Sequence, residues 1–287
     1  MANADPFLVC RERLRGVAYG LLGELGEADD VVQDAWLRWQ AADGNAVRNA
    51  EAFLVTVTTR LAIDRLRSAR ARRETYVGTW LPTPVVVDEA DPAETAIEAE
   101  RLDLALLCAL ERLDPVERAV LVLRDAFDLD YAEIADTIDV SPANARQIAK
   151  RARDRVGDAG RRGPVDRARQ GEIAAGFLRA AQHGDVEGIK RLLAADAIQY
   201  SDGGGRVVAA RKPIHGAELI AKFYANVRRT RQFPLDLVAM PVTVNGDPGV
   251  RLVSRSQGPY AITAIEVVDG RVQAIRNFLN PDRFAEL

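Results

Sequence analysis

Apolar residues recur at intervals of three and four through the first half of the chain, and they alternate with polar residues near its end. The first pattern predicts helices throughout residues 5–73 and again over Glu98–Leu113. The second pattern predicts strands, namely Leu235–Val244, Val250–Ser256, Ala261–Val268 and Val272–Phe278. Asn245-Gly246 and Asp269-Gly270 lie between such runs and predict two-residue hairpin turns, because Asn-Gly and Asp-Gly adopt positive φ easily.

The segment Asp128–Arg155 has the pattern of a helix-turn-helix. Ser141 can cap its second helix, and Pro142 suits the first helical position, where no backbone N–H is needed. The predicted inner face consists of Ala145, Ile148, Ala149, Ala152 and Val156. The opposite face carries side chains that reach base edges and phosphates, which are Asn144, Arg146, Gln147, Lys150 and Arg151. A capped start, a short preceding helix and a small inner face favour DNA binding over a merely solvated basic face.

Other helices of the first half carry charge in opposite ways. Glu27–Trp39 begins with acids and ends in two tryptophans, a pattern that an ordinary amphipathic helix also shows, since acids complement the dipole at a helix start. Glu51–Arg73 is apolar on more than one side, which predicts a central place in a helical bundle. Its basic second half has Asp64 as its one acid and favours phosphate contact over a solvated face. Asp114-Pro115-Val116-Glu117 predicts the capped start of a further helix.

Two segments interrupt the helical pattern. Residues 76–97 contain prolines and acids, and no lysine or arginine occurs between Trp80 and Glu100. This predicts a linker that shields two basic modules from each other, occupies a DNA-binding face when DNA is absent, or is merely soluble. A second linker is predicted near Gly157–Pro164. Helices near Ala168–Gln182 and Val186–Ala194 then precede the strands, which predicts an α+β domain around a cone-shaped cavity. The predicted organisation is multidomain, with helical domains at 1–75 and 98–157, linkers at 76–97 and 158–167, and an α+β domain at 168–287.

Composition narrows the class of protein. The 287-residue chain has room for two or three domains, and its formal net charge of -3 argues against a nonspecific polyanion binder. Cys10 and Cys108 lie far apart and suit a reduced cytoplasm. With two histidines and no paired cysteine motif, no metal or cofactor is expected. The sequence shows neither a signal peptide nor an apolar run of the ~20 residues that a membrane span needs, so a cytoplasmic protein is expected.

The order and spacing of three motifs resemble a known family. Ala28–Trp39 (ADDVVQDAWLRW), Thr58–Glu74 and Leu113–Arg153 are together similar to extracytoplasmic-function sigma factors of group IV in the sigma-70 family. Those proteins retain only the second and fourth conserved regions, here called region 2 and region 4, and both regions are all-α. Residues 168–287 resemble a SnoaL-like domain, an α+β fold shared with polyketide cyclases and nuclear transport factor two.

A subgroup of these sigma factors carries such a fused domain and is marked by a WLPxP linker, a DGGG loop and an NPD tail. This chain has Trp80–Pro84, Asp202–Gly205 and Asn280–Asp282 at the corresponding places. It departs from the subgroup at Thr83, where glutamate is common, and at Arg283, where lysine is common. Arginine keeps the charge of lysine but not its geometry, and Thr83 lacks a charge that matters if the linker pairs electrostatically.

The resemblance implies a promoter-specificity subunit of RNA polymerase, with no covalent chemistry of its own. The residues implied at core polymerase, on the clamp helices of its largest subunit, are Asp29, Asp30, Gln33, Asp34 and Trp36; the flap is a further implied contact. Those implied at the −10 element are Asn45, Arg60, Asp64, Arg65, Arg67 and Arg70. Those implied at the −35 element are Ser141, Asn144, Arg146, Gln147, Lys150, Arg151 and Arg153. Arg146 and Gln147 are expected at bases and the last three at phosphates.

The fused domain is implied to be a built-in regulator that takes the place of a separate anti-sigma protein. Contacts to the sigma domains or their linker are expected at Trp80, Leu81, Pro82, Asp202, Gly203, Gly204, Gly205, Asn280, Pro281, Asp282 and Arg283. Tethering makes even a weak contact effective. A plain strand-connecting turn is the alternative interpretation of the three glycines. A small ligand in the C-terminal cavity stays open as a release signal.

Two other classes of protein stay open from the residues alone. A helix-turn-helix repressor with a ligand-sensing domain would need neither the acidic helix nor the basic one. An enzyme carried on a DNA-binding module would use Asp202 with His183 or His215 as acid and base. His183 lies at a predicted helix end and His215 beside a loop, which disfavours the enzyme.

Overall fold

The computed structural model describes residues 5–42, 47–88, 102–157, 166–230, 234 and 236–286, and in residues 69–74, 230 and 284–286 it describes the backbone alone. Backbone contacts divide the chain into two compact units. The helical unit consists of Met1–Glu74 and Ala96–Gly160, and the C-terminal unit consists of Thr75–Thr95 and Arg161–Leu287. The described part of the Pro-interrupted segment, residues 75–88, therefore packs with the C-terminal unit.

Three helices open the helical unit: α1 (Pro6–Leu22), α2 (Leu25–Ala41) and α3 (Ala50–Glu74). The Asp5 carboxylate accepts the Phe7 N–H over 2.9 Å and so caps α1. Gly23 ends α1 in the left-handed conformation. Leu54 and Ala62 of α3 are wholly buried, and α3 packs on both α1 and α2. The central position that its apolar pattern predicts is confirmed.

Four further helices complete this unit around a π-helical turn: α4 (Leu104–Leu110), α5 (Pro115–Leu121), the turn Val122–Ala126, α6 (Tyr131–Ile138) and α7 (Pro142–Val156). The predicted capped start of α5 is confirmed, because Asp114 accepts the Glu117 N–H over 2.9 Å and Glu117 accepts the Asp114 N–H over 3.3 Å. Asp130 and Glu133 form a second capping box on α6, which the sequence analysis did not identify.

The helices of region 2 pack directly on those of region 4. Arg118 of α5 is 1% exposed, and its Nε donates to the Gly20 carbonyl over 3.0 Å. A Cβ at Gly20 would lie 2.9 Å from Val122, so this crossing requires a glycine. The hydroxyls of Thr56 and Thr137 lie 3.3 Å apart where α3 meets α6. The helical unit is therefore a single packed body.

In its described residues, the C-terminal unit combines three α-helices, a short 3-10 helix at Pro281–Glu286 and a seven-stranded sheet. Its helices are α8 (Arg167–His183), α9 (Val186–Leu192) and α10 (Ala217–Thr230). Its strands are β1 (Val86–Asp88), β2 (Leu193–Asp202), β3 (Ile214–His215), β4 (Leu237–Val244), β5 (Asp247–Ser254), β6 (Gly258–Val268) and β7 (Arg271–Phe278). The order is β1-β4-β5-β6-β7-β2-β3. The β2–β7 pair is parallel and the other pairs are antiparallel.

The core of this unit lies between the sheet and the helices, where Phe177, Ile220 and Ile275 are wholly buried. The four predicted strands are present, and the predicted hairpin turns are confirmed by φ values of 48° at Asn245 and 50° at Asp269. The prediction missed β2, β3 and α10, and it continued α9 into β2. The stretch that opens β2 is alanine-rich, which suits a helix as well as a strand. The predicted fold class, two all-α domains with an α+β C-terminal domain, is confirmed.

Candidate nucleic-acid interface and linker-docking site

The outward face of α7 has the composition of a DNA-reading surface. The Ser141 hydroxyl accepts the Asn144 N–H over 3.2 Å and caps the helix, as predicted. All five residues of the predicted inner face are buried. The residues of the opposite face are exposed: Asn144, Arg146, Gln147, Lys150 and Arg151. This half of the predicted site therefore lies together on one accessible helix surface.

Arg153 differs from the other basic residues of α7. Its Nε donates to Asp125 over 3.1 Å, a second nitrogen pairs with the same carboxylate, and a third contact reaches the Tyr131 hydroxyl over 3.3 Å. The hydrogen bond to Asp125 raises the pKa of Arg153 above its ordinary value. From the sequence, a phosphate contact is expected at Arg153, whereas in the structure this side chain braces the helix-turn-helix internally.

The basic edge of α3 is largely engaged within the helical unit. Arg60 donates to the backbone carbonyls of Thr137 over 2.9 Å and Asp136 over 3.2 Å, both at the end of α6. Arg65 donates to Asp30 over 3.1 Å, and Arg67 pairs with Asp64 over 3.1 Å. Of the other predicted −10 residues, Asn45 lies outside the described residues, and Arg70 lies where only backbone is described.

The predicted polymerase-binding helix, α2, is divided into two faces. Ala28, Val31, Val32 and Ala35 are buried against the unit. Gln33, Asp34 and Trp36 are exposed on the other face, where Trp36 is 40% exposed. Asp29 pairs with Arg15 over 2.7 Å, and Asp30 pairs with Arg65. An exposed aromatic side chain beside carboxylates is a surface that suits a basic partner.

A second cluster lies in the C-terminal unit around Asp202, which is 1% exposed at the end of β2. The Tyr76 hydroxyl donates to one carboxylate oxygen. The Leu81 N–H donates to the other over 3.3 Å, and Arg283 donates to it over 2.7 Å. The Asn280 amide donates to the Tyr76 hydroxyl over 3.0 Å. Burial, with the Asp202 hydrogen bond second, raises the pKa of Tyr76 to about 12. The phenol is therefore a neutral donor at physiological pH.

Arg283 of the tail contacts the linker at three points, in addition to its bond with Asp202. Besides Asp202, it donates to the Leu81 carbonyl over 2.5 Å and to the hydroxyl of the wholly buried Thr83 over 2.7 Å. Its guanidinium lies 5.4 Å from the centre of the Trp80 ring. Thr83 and Arg283, the two positions that depart from the subgroup pattern, are therefore in direct contact. The neutral Thr83 hydroxyl accepts a hydrogen bond from one guanidinium nitrogen of Arg283, while another nitrogen donates to Asp202. A lysine ammonium lacks the planar fork that this geometry requires.

The glycine loop after Asp202 permits close backbone approach. A Cβ at Gly204 would lie 2.2 Å from the Asn280 amide, and one at Gly205 would lie 3.1 Å from Val77 of the linker. Both residues also have positive φ, 56° and 72°. A Cβ at Gly203 would lie 2.7 Å from the side chain of Ala209. The loop is thus both a turn and a close-packed surface against the tail and the linker.

The linker continues past its prolines as an edge strand of the sheet. β1 pairs with β4 from Val86 opposite Val244. Ahead of that pair, the Val85 N–H donates to the Asn245 side chain over 2.9 Å, and the Asn245 N–H returns a bond to the Val85 carbonyl over 2.9 Å. Asp88 pairs with Arg251 over 2.9 Å. The sequence analysis missed this strand, although Val85–Val87 is a β-branched run that signals one. It also missed Tyr76, for which no local signal exists.

The residues considered for acid–base chemistry are separated by their contacts. Asp202 is occupied by the linker and the tail. The His183 ring bonds the Arg179 carbonyl over 2.7 Å at the end of α8, and His215 is exposed in β3. Within the described ranges, no hydrogen bond joins these three residues, and no cluster of His, Cys, Asp and Glu is suited to a metal ion. No helix of those ranges has the length and apolarity to cross a membrane.

Comparisons with known proteins agree with this arrangement. The model of Sigma-70 region 2 matches residues 8–72, and that of Sigma-70 region 4 matches residues 103–156. The chain is 37% identical to the ECF RNA polymerase sigma factor SigJ of Mycobacterium tuberculosis, over 98% of this chain and 93% of SigJ. The chain belongs to the ECF RNA polymerase sigma factors. A probable ECF sigma factor of the same species, SigI, is 30% identical over 98% of this chain and 96% of its own length.

The likeness to SigJ extends to three dimensions. The crystal structure of M. tuberculosis SigJ matches this structure with a TM-score of 0.78 at 32% identity, covering 97% of each chain. The predicted resemblance to the ECF sigma factors is therefore confirmed, and the sheet-containing C-terminal domain is shared with SigJ. This ECF sigma factor acts in transcription initiation by binding core RNA polymerase and promoter DNA, and its family is in general not enzymatic.

Proposed function

We propose that this ECF sigma factor reads the −35 element with the outward face of α7 and opens the −10 element with the basic edge of α3. The observation that supports the −35 assignment is the separation of faces on α7, where a buried small-residue face fixes the helix and the polar face stays exposed. Arg146 and Gln147 suit base edges, and Lys150 and Arg151 suit phosphates. The exposed face of α2 around Trp36 docks on core polymerase.

We also propose that this sigma factor carries out no covalent chemistry and acts in the cytoplasm with the polymerase that it directs. Asp202 has buried hydrogen-bond partners on the linker and tail, which supports a binding role for this carboxylate rather than a catalytic one.

We further propose that the C-terminal domain regulates initiation by holding the interdomain linker. The linker runs in sequence from α3 of region 2 to α4 of region 4, and its first half is bound by the C-terminal unit at Tyr76, Leu81, Thr83 and β1. Region 2 and region 4 must reach two promoter elements at once. A linker whose first half is held on a sheet has less free length for that, so docking restrains initiation and release permits it.

The chemistry of the docking cluster supports a stable hold. Thr83 is 0% exposed and Leu81 is 2% exposed, so the linker contributes buried apolar and polar surface together. The Asp202 carboxylate accepts bonds from both the linker and the tail, and each hydrogen bond to a charged group contributes about 1.5–3 kcal/mol. Because the linker is covalently attached, its local concentration at this site is on the order of millimolar.

Transcription in vitro with core polymerase tests the regulatory proposal. Asp202→Asn removes the carboxylate that both segments share. Tyr76→Phe removes the hydrogen bonds of the linker hydroxyl to Asp202 and Asn280 while leaving the Asp202–Arg283 pair in place. We expect more transcript from both variants than from the unaltered chain, with the larger increase in Asp202→Asn. Asp282→Asn is the matched control, because Asp282 lies in the same tail but pairs over 2.7 Å with Arg206 of the glycine loop rather than with the linker.

Circular dichroism of each variant must show an unchanged fold. If folded Asp202→Asn and Tyr76→Phe both give unaltered or reduced transcript, the restraining role is wrong. A rise with Asp282→Asn equal to that of Asp202→Asn would also contradict it, since disturbance of the tail alone would then account for the effect.

A further inference from the structure

Tyr131 lies at the centre of a cluster of three arginines beside the DNA-reading face. The guanidinium of Arg124 lies 5.2 Å from the centre of the Tyr131 ring, and that of Arg146 lies 5.5 Å from it. Arg153 donates to the Tyr131 hydroxyl over 3.3 Å. Tyr131 is the first residue of α6, whereas Arg146 and Arg153 belong to α7. This aromatic side chain of α6 therefore contacts charged groups in the π-helical turn and on α7.

The three arginines differ in how their donors are used. Arg124 donates to the Leu129 carbonyl over 2.8 Å, and Arg153 pairs with Asp125. Arg146 is exposed and, within the part of the chain that the structure describes, it makes no hydrogen bond or ion pair. Its guanidinium therefore has a ring beneath it and a full set of donors left over.

That arrangement suits recognition of a base edge. A planar guanidinium binds O6 and N7 of guanine through two parallel hydrogen bonds, which requires a fixed orientation of the plane. A cation over an aromatic face is held by the ring quadrupole without using any N–H donor. An arginine that is already oriented loses less side-chain entropy when it binds. The Tyr131 ring supplies such an orientation from the neighbouring helix.

We propose that Tyr131 is a positioning residue for −35 recognition, holding Arg146 over its ring so that the guanidinium meets a guanine edge in the major groove. The inference rests on the proposed reading of the −35 element by α7. The hydroxyl and the ring have separate tasks: the hydroxyl braces Arg153, and the ring orients Arg146.

A double-mutant cycle between Tyr131 and Arg146 tests the proposal. Binding of the full-length chain with core polymerase is measured on promoter DNA and on DNA in which single −35 base pairs are changed. Tyr131→Leu removes the ring, and we expect about a three-fold loss of affinity, the fold-change of a cation–π contact at an exposed site. We also expect lower discrimination at the base pair that Arg146→Ala ceases to distinguish. Added to Arg146→Ala, Tyr131→Leu has no further effect.

Tyr131→Phe is the conservative variant, because it keeps the ring and loses only the bond to Arg153. Discrimination at that base pair stays as in the unaltered chain. If Tyr131→Leu weakens binding equally with and without Arg146, or if Tyr131→Phe loses discrimination as fully as Tyr131→Leu, Tyr131 is a packing residue and the inference is wrong. If Arg146→Ala itself leaves every −35 base pair equally distinguished, the proposed base contact of Arg146 fails instead.

Discussion

Arg146 on α7 and Arg283 in the C-terminal tail show two opposite uses of one residue type. Arg283 donates to Asp202, Leu81 and Thr83 and lies against Trp80. The Arg146 guanidinium lies 5.5 Å from the centre of the Tyr131 ring, and among the residues that the structure describes it makes no hydrogen bond or ion pair. Composition does not distinguish these arginines. The two arginines differ in whether neighbouring groups of their own unit accept their N–H donors. Arg283, whose donors are used, has a structural role, whereas Arg146 is available to bind a partner.

Arg60 on α3 stands between these two cases. It is exposed, yet it donates to the carbonyls of Thr137 and Asp136 at the end of α6. If Arg60 contacts the −10 strand as proposed, those bonds to α6 must first break. The two proposed DNA-reading elements thus differ in accessibility, since the basic face of α7 is exposed and α3 uses part of its own inside the helical unit.

The largest expected effect is on the buried pair. Arg283→Met leaves Asp202 buried without its cationic partner, and we expect the free energy of unfolding of the C-terminal unit to fall by about 3 kcal/mol. Hydrogen exchange of β2 and β7 along a urea series on the full chain measures this. Arg206→Ala removes an exposed arginine of the neighbouring loop and is expected to change stability by less than about 0.5 kcal/mol. Equal losses of stability in Arg283→Met and Arg206→Ala would contradict the structural role of Arg283.

Arg146→Ala is expected to behave in the opposite way. Stability stays within about 0.5 kcal/mol because the side chain is exposed. Affinity for promoter DNA falls about ten-fold, which is the scale of one bidentate base contact. Titration of core polymerase with this sigma factor on labelled promoter DNA gives the affinity. A loss of stability without a loss of affinity would move Arg146 into the same class as Arg283.

Because Arg60 is exposed yet hydrogen-bonded, we expect its removal to lower the stability of the free protein less than removal of Arg283 does. Arg60→Ala removes two charge-assisted hydrogen bonds to α6, which we expect to contribute about 1 kcal/mol after allowance for solvent screening. Amide exchange in α6 should then quicken about five-fold. Arg60→Lys should not restore protection, since an ammonium lacks the fork that reaches two adjacent carbonyls. Unchanged exchange in Arg60→Ala would place Arg60 with Arg146.

The smallest effect is a pH dependence of linker docking through Tyr76. Its pKa is raised from the ordinary value of 10.0 to about 12, so folding favours the protonated phenol. The stabilisation is fully present below about pH 10 and is lost as the pH rises towards 12. Phenolate absorbance of the full chain, compared with that of Tyr76→Phe, measures the titration. A difference spectrum that titrates near pH 10 would show that Tyr76 is neither buried nor hydrogen-bonded to Asp202 in the full chain.

The helix-turn-helix was predictable because its signals are local. A cap at Ser141, a proline after it and small residues at helical spacing lie within one short segment. The docking cluster has no such signal, since Tyr76 and Asp202 are 126 residues apart in sequence. The family motifs point to Asp202 and Arg283, yet nothing in them shows that Thr83 accepts from Arg283. The sequence does contain a signal for α10, because apolar residues recur at helical spacing at Ile220, Ala221, Tyr224 and Val227. The predicted elements nevertheless do not include this helix.

We propose above that the C-terminal domain holds the linker in the free sigma factor and releases it during initiation. The Leu81 N–H, which donates to Asp202 over 3.3 Å, reports on this directly. Amide hydrogen exchange at Leu81 and in β1 should be slow in the free chain and fast in the complex with core polymerase and promoter DNA. Equal protection in the two states would contradict regulation by linker release.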